Sequence, residues 1–387
     1  MSMNKLKIAA YLSLLLLLTG CWDNLELINR AFVMGVALDE TEKGKVQLTT
    51  QAYNPSRGVQ GEGGGGQGSQ NYINIRTTED SVNEAVRDIP RHIGRKAQWG
   101  HLYVIVISEE FARNQGLEEV LAFFFRDHEP RLTASVVITK GKAADFLEME
   151  PLMEITTGQQ LSENEEMSHK YSQKTIDSNL LKLAIQTRNQ VGNGLLPYFH
   201  KIEHASETSP TVAGITLLKK GKMVGNLPTE KAERLLLIRD EYQGGMIQLP
   251  CKNDPSTIEV IEIVSAETSL KPIIKDDSLT VKVSSEIEAV LQQLTCSKTD
   301  SPEAEKELEK RLEQYIEKEL EKTINVLQEK QFDAMDLGDK VYAKNPSVWK
   351  RWKKDWDQRF ADSEFEFDVQ IRITSSGTSS GKPWFSE

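Results

Sequence analysis

A chain of 387 residues with 58 acidic side chains against 47 basic ones carries a formal charge of −11. That excess excludes nucleic-acid binding through phosphate contacts and attachment to a membrane by a polybasic segment. Apolar residues at 39% and charged residues at 27% are ordinary globular material and exclude chain-wide disorder.

The chain starts with Lys5 and Lys7, followed by a greasy run over residues 8–18 interrupted only by Tyr11 and Ser13. A basic start, an apolar run and small residues before a cut describe a secretory signal. The run is shorter than the ~20 apolar residues that a bilayer crossing needs. It ends in Leu18-Thr19-Gly20-Cys21, the pattern of a bacterial lipobox, in which the cysteine itself marks the cut. On that reading Cys21 becomes the first mature residue and carries a diacylglycerol thioether. On the plainer reading the leader is an ordinary signal peptide and the cysteine is incidental; the agreement of all three signal features favours the lipobox. Losing Lys5 and Lys7 with residues 1–20 moves the formal charge from −11 to about −13. The acyl chains must then hold the body to the membrane, and two or three suffice where one is marginal at ~0.8 kcal/mol per buried CH2.

Residues 32–38 are apolar and branched, 39–44 are turn-like, and Val46, Leu48, Thr50 and Ala52 alternate with Gln47, Thr49, Gln51 and Tyr53, which predicts a hairpin. The tract 58–68 contains Gly61-x-Gly63-x-x-Gly66, but no buried strand feeds it and no helix opens from it. It is a Gly-rich loop, not a dinucleotide fingerprint. A strand follows over 72–76, then a helix capped by Asp80 with Val82, Ala85, Val86 and Ile89 on one stripe, stopped by Pro90. Residues 102–107 and 136–138 are continuously apolar, the mark of strands covered on both faces. Between them Leu117, Val120, Leu121 and Phe124 stripe a second helix, and 143–149 begins a third.

Residues 162–174 are polar and weakly patterned, 179–188 look helical, and Pro197 with the cluster 206–210 reads as a linker. Further on come a strand over 212–218, a turn at 219–222, a helix after Pro228 and a strand over 258–264. Ser301 caps and Pro302 opens a long helix with Leu308, Leu312, Tyr315, Ile316, Leu320, Ile324 and Leu327 on one face. In the last strand Phe365, Phe367, Val369, Ile371 and Ile373 alternate with charged and polar residues, so a long helix should lie on a half-exposed sheet.

The expected fold class is α/β (mixed α+β), with three mixed helix/sheet domains in series. A signal peptide over 1–20 precedes an amino-terminal domain over 21–198, a middle domain over 199–275 and a carboxy-terminal domain over 276–374; a disordered tail occupies 375–387. Cys251 and Cys296 either pair, closing a loop worth ~3 to 4 kcal/mol, or remain isolated buried thiols.

No catalytic motif is present: no Gly-x-Ser-x-Gly elbow, no His-Glu-x-x-His helix, no Cys-x-x-Cys and no P-loop. The six histidines are scattered, and His200 with His204 is a surface pair without metal, since zinc needs three or four ligands. Asp127-His128-Glu129 has the residue types of an acid/base set, yet consecutive loop residues diverge and no nucleophile accompanies them. Trp349, Trp352, Trp356 and Phe360 recur at helical spacing and suit a core better than a docking ridge. No cofactor or metal is expected, and the chain is read as not being an enzyme.

Cys21-Trp22-Asp23, Glu26, Ile28 and Val33-x-Gly35-x-Ala37-x-Asp39 resemble the mature amino terminus of the Ger(x)C family, the C-subunit lipoproteins of spore germinant receptors. Gly100-His101, Arg126-Asp127 and Arg131 resemble that family's amino-terminal domain. Gly214, Val224-Gly225-x-Leu227, Phe332-Asp333, Leu337-Gly338, Pro346-x-x-Trp349 and Trp356 resemble its carboxy-terminal region. The Gly-rich insertion and the tail depart from the pattern. The resemblance implies three mixed α/β domains and a place on the outer face of the spore inner membrane. It also implies two integral-membrane partner subunits, of A and B type, and a role in nutrient-triggered germination. It brings no catalytic residues, and lipidation at Cys21 is the one site it transfers. The competing reading from the residues alone is a solute-binding lipoprotein of a nutrient transporter, which should show two similar lobes; no duplication is visible.

Overall fold

Alternating and continuously apolar stretches sort into two sheets. The computed structural model describes residues 29–53, 71–203, 208–297 and 299–375. The leader, Cys21, the Gly-rich tract 58–68, His204 and the tail beyond residue 375 lie outside the described residues.

The first sheet has nine strands, ordered β3-β2-β1-β5-β6-β7-β8-β9, with β4 also on β1. The expected hairpin is β1 (Arg30–Glu40) and β2 (Val46–Tyr53), and β3 (Tyr72–Glu79) extends it antiparallel. β4 (Lys96–Gln98) and β5 (Val104–Ser108) both run parallel to β1, and β6 (Ser135–Thr139) runs parallel to β5. Every residue of β5 and β6 is buried, as strands between two helical layers must be. One layer contains α1 (Val82–Ile93), α2 (Glu109–Asn114), α3 (Leu117–Arg126) and α6 (Leu180–Arg188). The other contains α4 (Ala143–Glu148) and α5 (Thr157–Ser172).

Three local expectations need correction. The cap of α1 is Ser81, whose hydroxyl accepts the Glu84 amide, and the helix continues through Pro90 to Ile93. Pro90 lies in the last turn with its ring exposed, so it forfeits a single backbone bond. Gly94, at φ 64°, ends the helix by donating its amide to the Pro90 carbonyl. The polar stretch 162–174 belongs mostly to α5, whose buried face includes Gly158, Gln160 and Glu165 beside Leu161, so no apolar period is visible. The stretch around Pro197 and Pro210 is not a linker but the antiparallel pair β7 (Asn193–Glu203) and β8 (Thr208–Lys219). Pro197 is tolerated because the β6 ladder joins β7 only from Tyr198 onward.

β9 (Lys222–Leu227) pairs with β8 through a turn at Lys220 and Gly221, both at positive φ. α7 (Thr229–Ile238) then leads to the second sheet, β10 (Gly245–Pro250), β11 (Ile258–Lys275), β12 (Ser278–Gln293) and β13 (Glu364–Ser375), in that order. β7 runs across residues 198–199, where its pairing with β8 shifts register, and Asp276 and Asp277 form the turn of the β11–β12 hairpin. α8 (Pro302–Glu329), capped by Ser301, lays Leu308, Leu312, Ile316, Leu320, Ile324 and Leu327 in the core beside β13. α9 (Leu337–Lys344), α10 (Pro346–Trp352) and α11 (Trp356–Ala361) close the end, burying Trp349, Trp352, Trp356 and Phe360. Cys251 and Cys296 form a disulfide with Cα atoms 6.1 Å apart, which closes a loop of 45 residues and contributes ~3 to 4 kcal/mol.

β7–β9 belong to both halves. Leu196, Tyr198, Leu218 and Met223 face the first core, whereas Leu195, Ile215, Leu217 and Leu227 pack with α7, α8 and the second sheet. Period-two alternation sends neighbouring leucines into different cores. Leu217→Ala and Leu218→Ala are therefore each expected to cost about 2–5 kcal/mol and to lower one shared unfolding transition in calorimetry. Two separate transitions, each moved by one variant alone, would contradict this arrangement.

Candidate functional site: a surface cleft and buried carboxylate clamps

The carboxy-terminal part of α1, β4, the end of α3 and the loop after it enclose a cleft of about 580 Å³. Trp99, buried and edge-on to Phe123 at 5.3 Å, anchors its floor, and Val86, Pro90 and Ala97 line the walls. Arg87, Lys96, Arg126 and His128 stand at the rim. The triplet Asp127-His128-Glu129 does not converge there. Asp127 accepts the Glu129 amide at 2.9 Å, while Glu129 accepts the Trp99 amide and the Lys96 ammonium, each at 3.3 Å. His128 points into solvent, 3.8 Å from the Asp127 carboxylate. The two acids hold a loop shape, so the triplet is structural.

Other motif residues meet inside the protein. Asp39 is buried at the end of β1 and accepts the Ala143 and Ala144 amides at 2.8 and 2.9 Å, clamping the start of α4. Burial raises its pKa while these two amides pull it back. Gly35 lies where its strand meets α5: a Cβ there would be 3.2 Å from the Gly158 Cα. Gly214 sits at φ +125°, and a Cβ would fall 1.9 Å from the Leu227 carbonyl oxygen, so only glycine fits between β8 and β9.

The second clamp is Asp333. Fully enclosed, it accepts the amides of Met335 (3.0 Å), Leu337 (3.2 Å) and Gly338 (2.9 Å) and the Trp356 indole N–H (3.1 Å). Burial pushes its carboxyl up to about 6 despite those donors. A Cβ on Gly338 would be 2.7 Å from the Trp349 ring. Phe332-Asp333, Leu337-Gly338, Trp349 and Trp356 are thus one joint, adjacent to β7: Asn193 donates to the Asp333 carbonyl at 3.0 Å.

Among the described residues, Cys251, Glu259 and Cys296 have ligand atoms within 4.8 Å of one another. The donor set does not fit a metal, because both sulfurs are in the disulfide and Glu259 accepts from Ser297 and Arg311. His200 lies in β7, a strand rather than the helix a spaced histidine pair would need.

A buried acid that the sequence did not single out is Glu165 on α5. Thr156-x-x-Gln159 is a capping-box signal for that helix, with the Thr156 hydroxyl accepting the Gln159 amide at 3.3 Å. Glu165 accepts the Ser178 amide at 3.1 Å and the Ser135 hydroxyl at 2.9 Å. Burial outweighs these bonds and pushes its carboxyl up to about 7.

Fold and site together define a mixed α/β protein of two sheets, clamped by buried carboxylates and open at the cleft beside Trp99. A model of the spore germination protein N-terminal domain matches residues 23–201, and a spore germination B3/GerAC-like C-terminal model matches 213–377. The chain belongs to this spore germination family, Ger(x)C, as the motifs around Cys21 implied. It is 26% identical to spore germination protein B3 of Bacillus subtilis (strain 168), over 96% of this chain and 98% of that one. Spore germination protein YndF of the same organism is 29% identical, over 94% and 95%. Spore germination protein A3, also from that organism, is 27% identical over 97% and 98%. The crystal structure of the GerBC protein has the same fold, with a TM-score of 0.58 and 21% identity over 88% of this chain and 97% of that one.

The native state holds the Glu165 proton more tightly than the unfolded chain does, so stability should fall as pH rises from about 4.5 to about 7. The loss is at most about 3 kcal/mol. Glu165→Gln keeps an acceptor for Ser178 and should flatten this fall in urea unfolding followed at about pH 5 and about pH 8. An unchanged pH dependence would contradict the assignment.

Proposed function

We propose that this chain is the lipid-anchored, non-enzymatic C subunit of a spore germinant receptor. Cys21 would hold it on the outer face of the spore inner membrane beside two integral-membrane subunits of A and B type. The observation that carries this reading is the ordered family match over residues 23–201 and 213–377, which begins two residues behind the lipobox cysteine. Relatives covered almost end to end are named as spore germination proteins B3 and A3. No helix among the described residues is long and apolar enough to cross a membrane, so acyl chains on Cys21 are the attachment this reading requires. The buried carboxylates support a non-enzymatic part: Asp39 and Asp333 spend their lone pairs on backbone amides and are closed to solvent.

Spores carrying Cys21→Ala test the proposal. The protein should leave the membrane fraction and the nutrient-triggered fall in optical density should be lost, while calcium dipicolinate, which bypasses nutrient receptors, still works. Full nutrient responses in spores lacking this gene and its paralogues would contradict it.

A further inference from the structure

The net negative charge hides a cationic end. Residues 87–96 place Arg87, Arg91, Arg95 and Lys96 on the exposed end of α1 and the start of β4. Across the cleft stand Arg126 and, five residues on, Arg131. The carboxylates in this region are largely occupied: Asp88 pairs with Arg91 and His92, and Glu129 pairs with Lys96. Asp127 is left with the Glu129 amide and a distant His128. Arg87 and Arg126, both exposed on the cleft rim, have no carboxylate partner among the described residues. Two unpaired guanidiniums beside an aromatic floor are suited to phosphate esters, which they can grip bidentately.

The position of this end identifies what it meets. β4 pairs with the first residues of β1, Arg30 opposite Lys96, so the cationic end surrounds the point where the chain enters the first sheet. Asn29, the first described residue, is eight residues from Cys21. Eight residues reach at most about 29 Å, even fully extended. On the other face of the sheet, the loop preceding α5 reaches the same end through the Tyr72 hydroxyl, which donates to the Met149 carbonyl at 3.2 Å. That loop exposes Leu152, Met153 (88%) and Ile155, with Glu150 and Glu154 among them. Cationic side chains at the same end of the sheet as exposed apolar ones, within a short tether of a lipidated cysteine, suit an interfacial layer of anionic lipid. The outer face of α8, on the other half of the protein, is Glu-rich.

We infer that the end built from α1, β4 and the loop after α3 docks on anionic phospholipid headgroups, with Arg87 and Arg126 contacting their phosphates. This rests on the Cys21 anchor for its geometry in the spore. Once the tether supplies a high local concentration, a modest electrostatic attraction fixes the orientation of the body. A surface of this kind turns the rest of the protein away from the bilayer instead of letting it tumble on its tether.

The test uses the chain from Cys21 onward. Because Cys251 and Cys296 are paired, Cys21 is its one free thiol and can be coupled to a maleimide lipid. Amide hydrogen exchange is then compared on phosphatidylglycerol and phosphatidylcholine vesicles. Exchange in residues 87–99 and 126–131 should slow on phosphatidylglycerol alone, by about fivefold per engaged charge, and recover at high salt. Arg87→Glu with Arg126→Glu, which breaks no ion pair, should abolish the protection. Equal exchange on both vesicles, protection that survives the double reversal, or equal protection by inorganic phosphate in solution would overturn the inference. The chemical coupling makes these outcomes independent of natural lipidation, which the Cys21→Ala fractionation tests separately.

Discussion

Strands β7, β8 and β9 are the constraint on which the rest of the structure depends. A sheet strand has two faces, and here each face is a different hydrophobic core. Leu196 and Leu218 complete the layer under α3 and α6, while Leu195 and Leu217 complete the layer shared with α7 and the second sheet. Neither half can bury its apolar surface without the same backbone, so the two halves cohere by area burial rather than by a linker. The seam is reinforced by polar contacts of fixed geometry. The Gln190 side-chain carbonyl accepts the Trp349 indole N–H at 3.0 Å and its backbone N–H donates to Asp339 at 2.9 Å; Asn193 donates to the Asp333 carbonyl. Arg239 at the end of α7 bonds the Ala334 carbonyl and pairs with Asp336 at 3.0 Å.

This arrangement explains which elements were legible in the sequence. Strands of strict alternation or unbroken apolarity, such as β5, β6 and β13, declare themselves because one or both faces meet only hydrocarbon. α8 was equally plain, with Ser301, Pro302 and a long leucine stripe in register. α5 was hidden because its inner face is polar: Glu165 and Gln160 bury themselves by hydrogen bonding, which leaves no apolar period to read. β7 and β8 were hidden for another reason. Pro197 and Pro210 are turn and linker signals in general, and only the tertiary pairing shows that β7 has no β6 neighbour to donate to at Pro197.

The site was less legible than the fold. Motif residues such as Asp39, Gly214, Asp333 and Gly338 carry a family resemblance in sequence, but sequence alone does not say that they are joints rather than ligand contacts. Distances decide it: the carboxylates are saturated by backbone amides, and the glycines lie where a methyl group would strike a carbonyl or a ring. Bulk charge was also a poor guide. A formal charge of −11 averages over a body in which α1, β4 and the loop after α3 expose Arg87, Arg91, Arg95, Lys96, Arg126 and Arg131 together. Attraction over a Debye length of about 8 Å responds to the local patch, not to the sum.

Purification of the epitope-tagged chain from detergent-solubilised spore inner membranes tests the central claim most directly. The account predicts that two integral-membrane germinant-receptor subunits co-elute with it in constant proportion. Recovery of the chain alone, or with the permease and ATPase of a solute transporter, would contradict it.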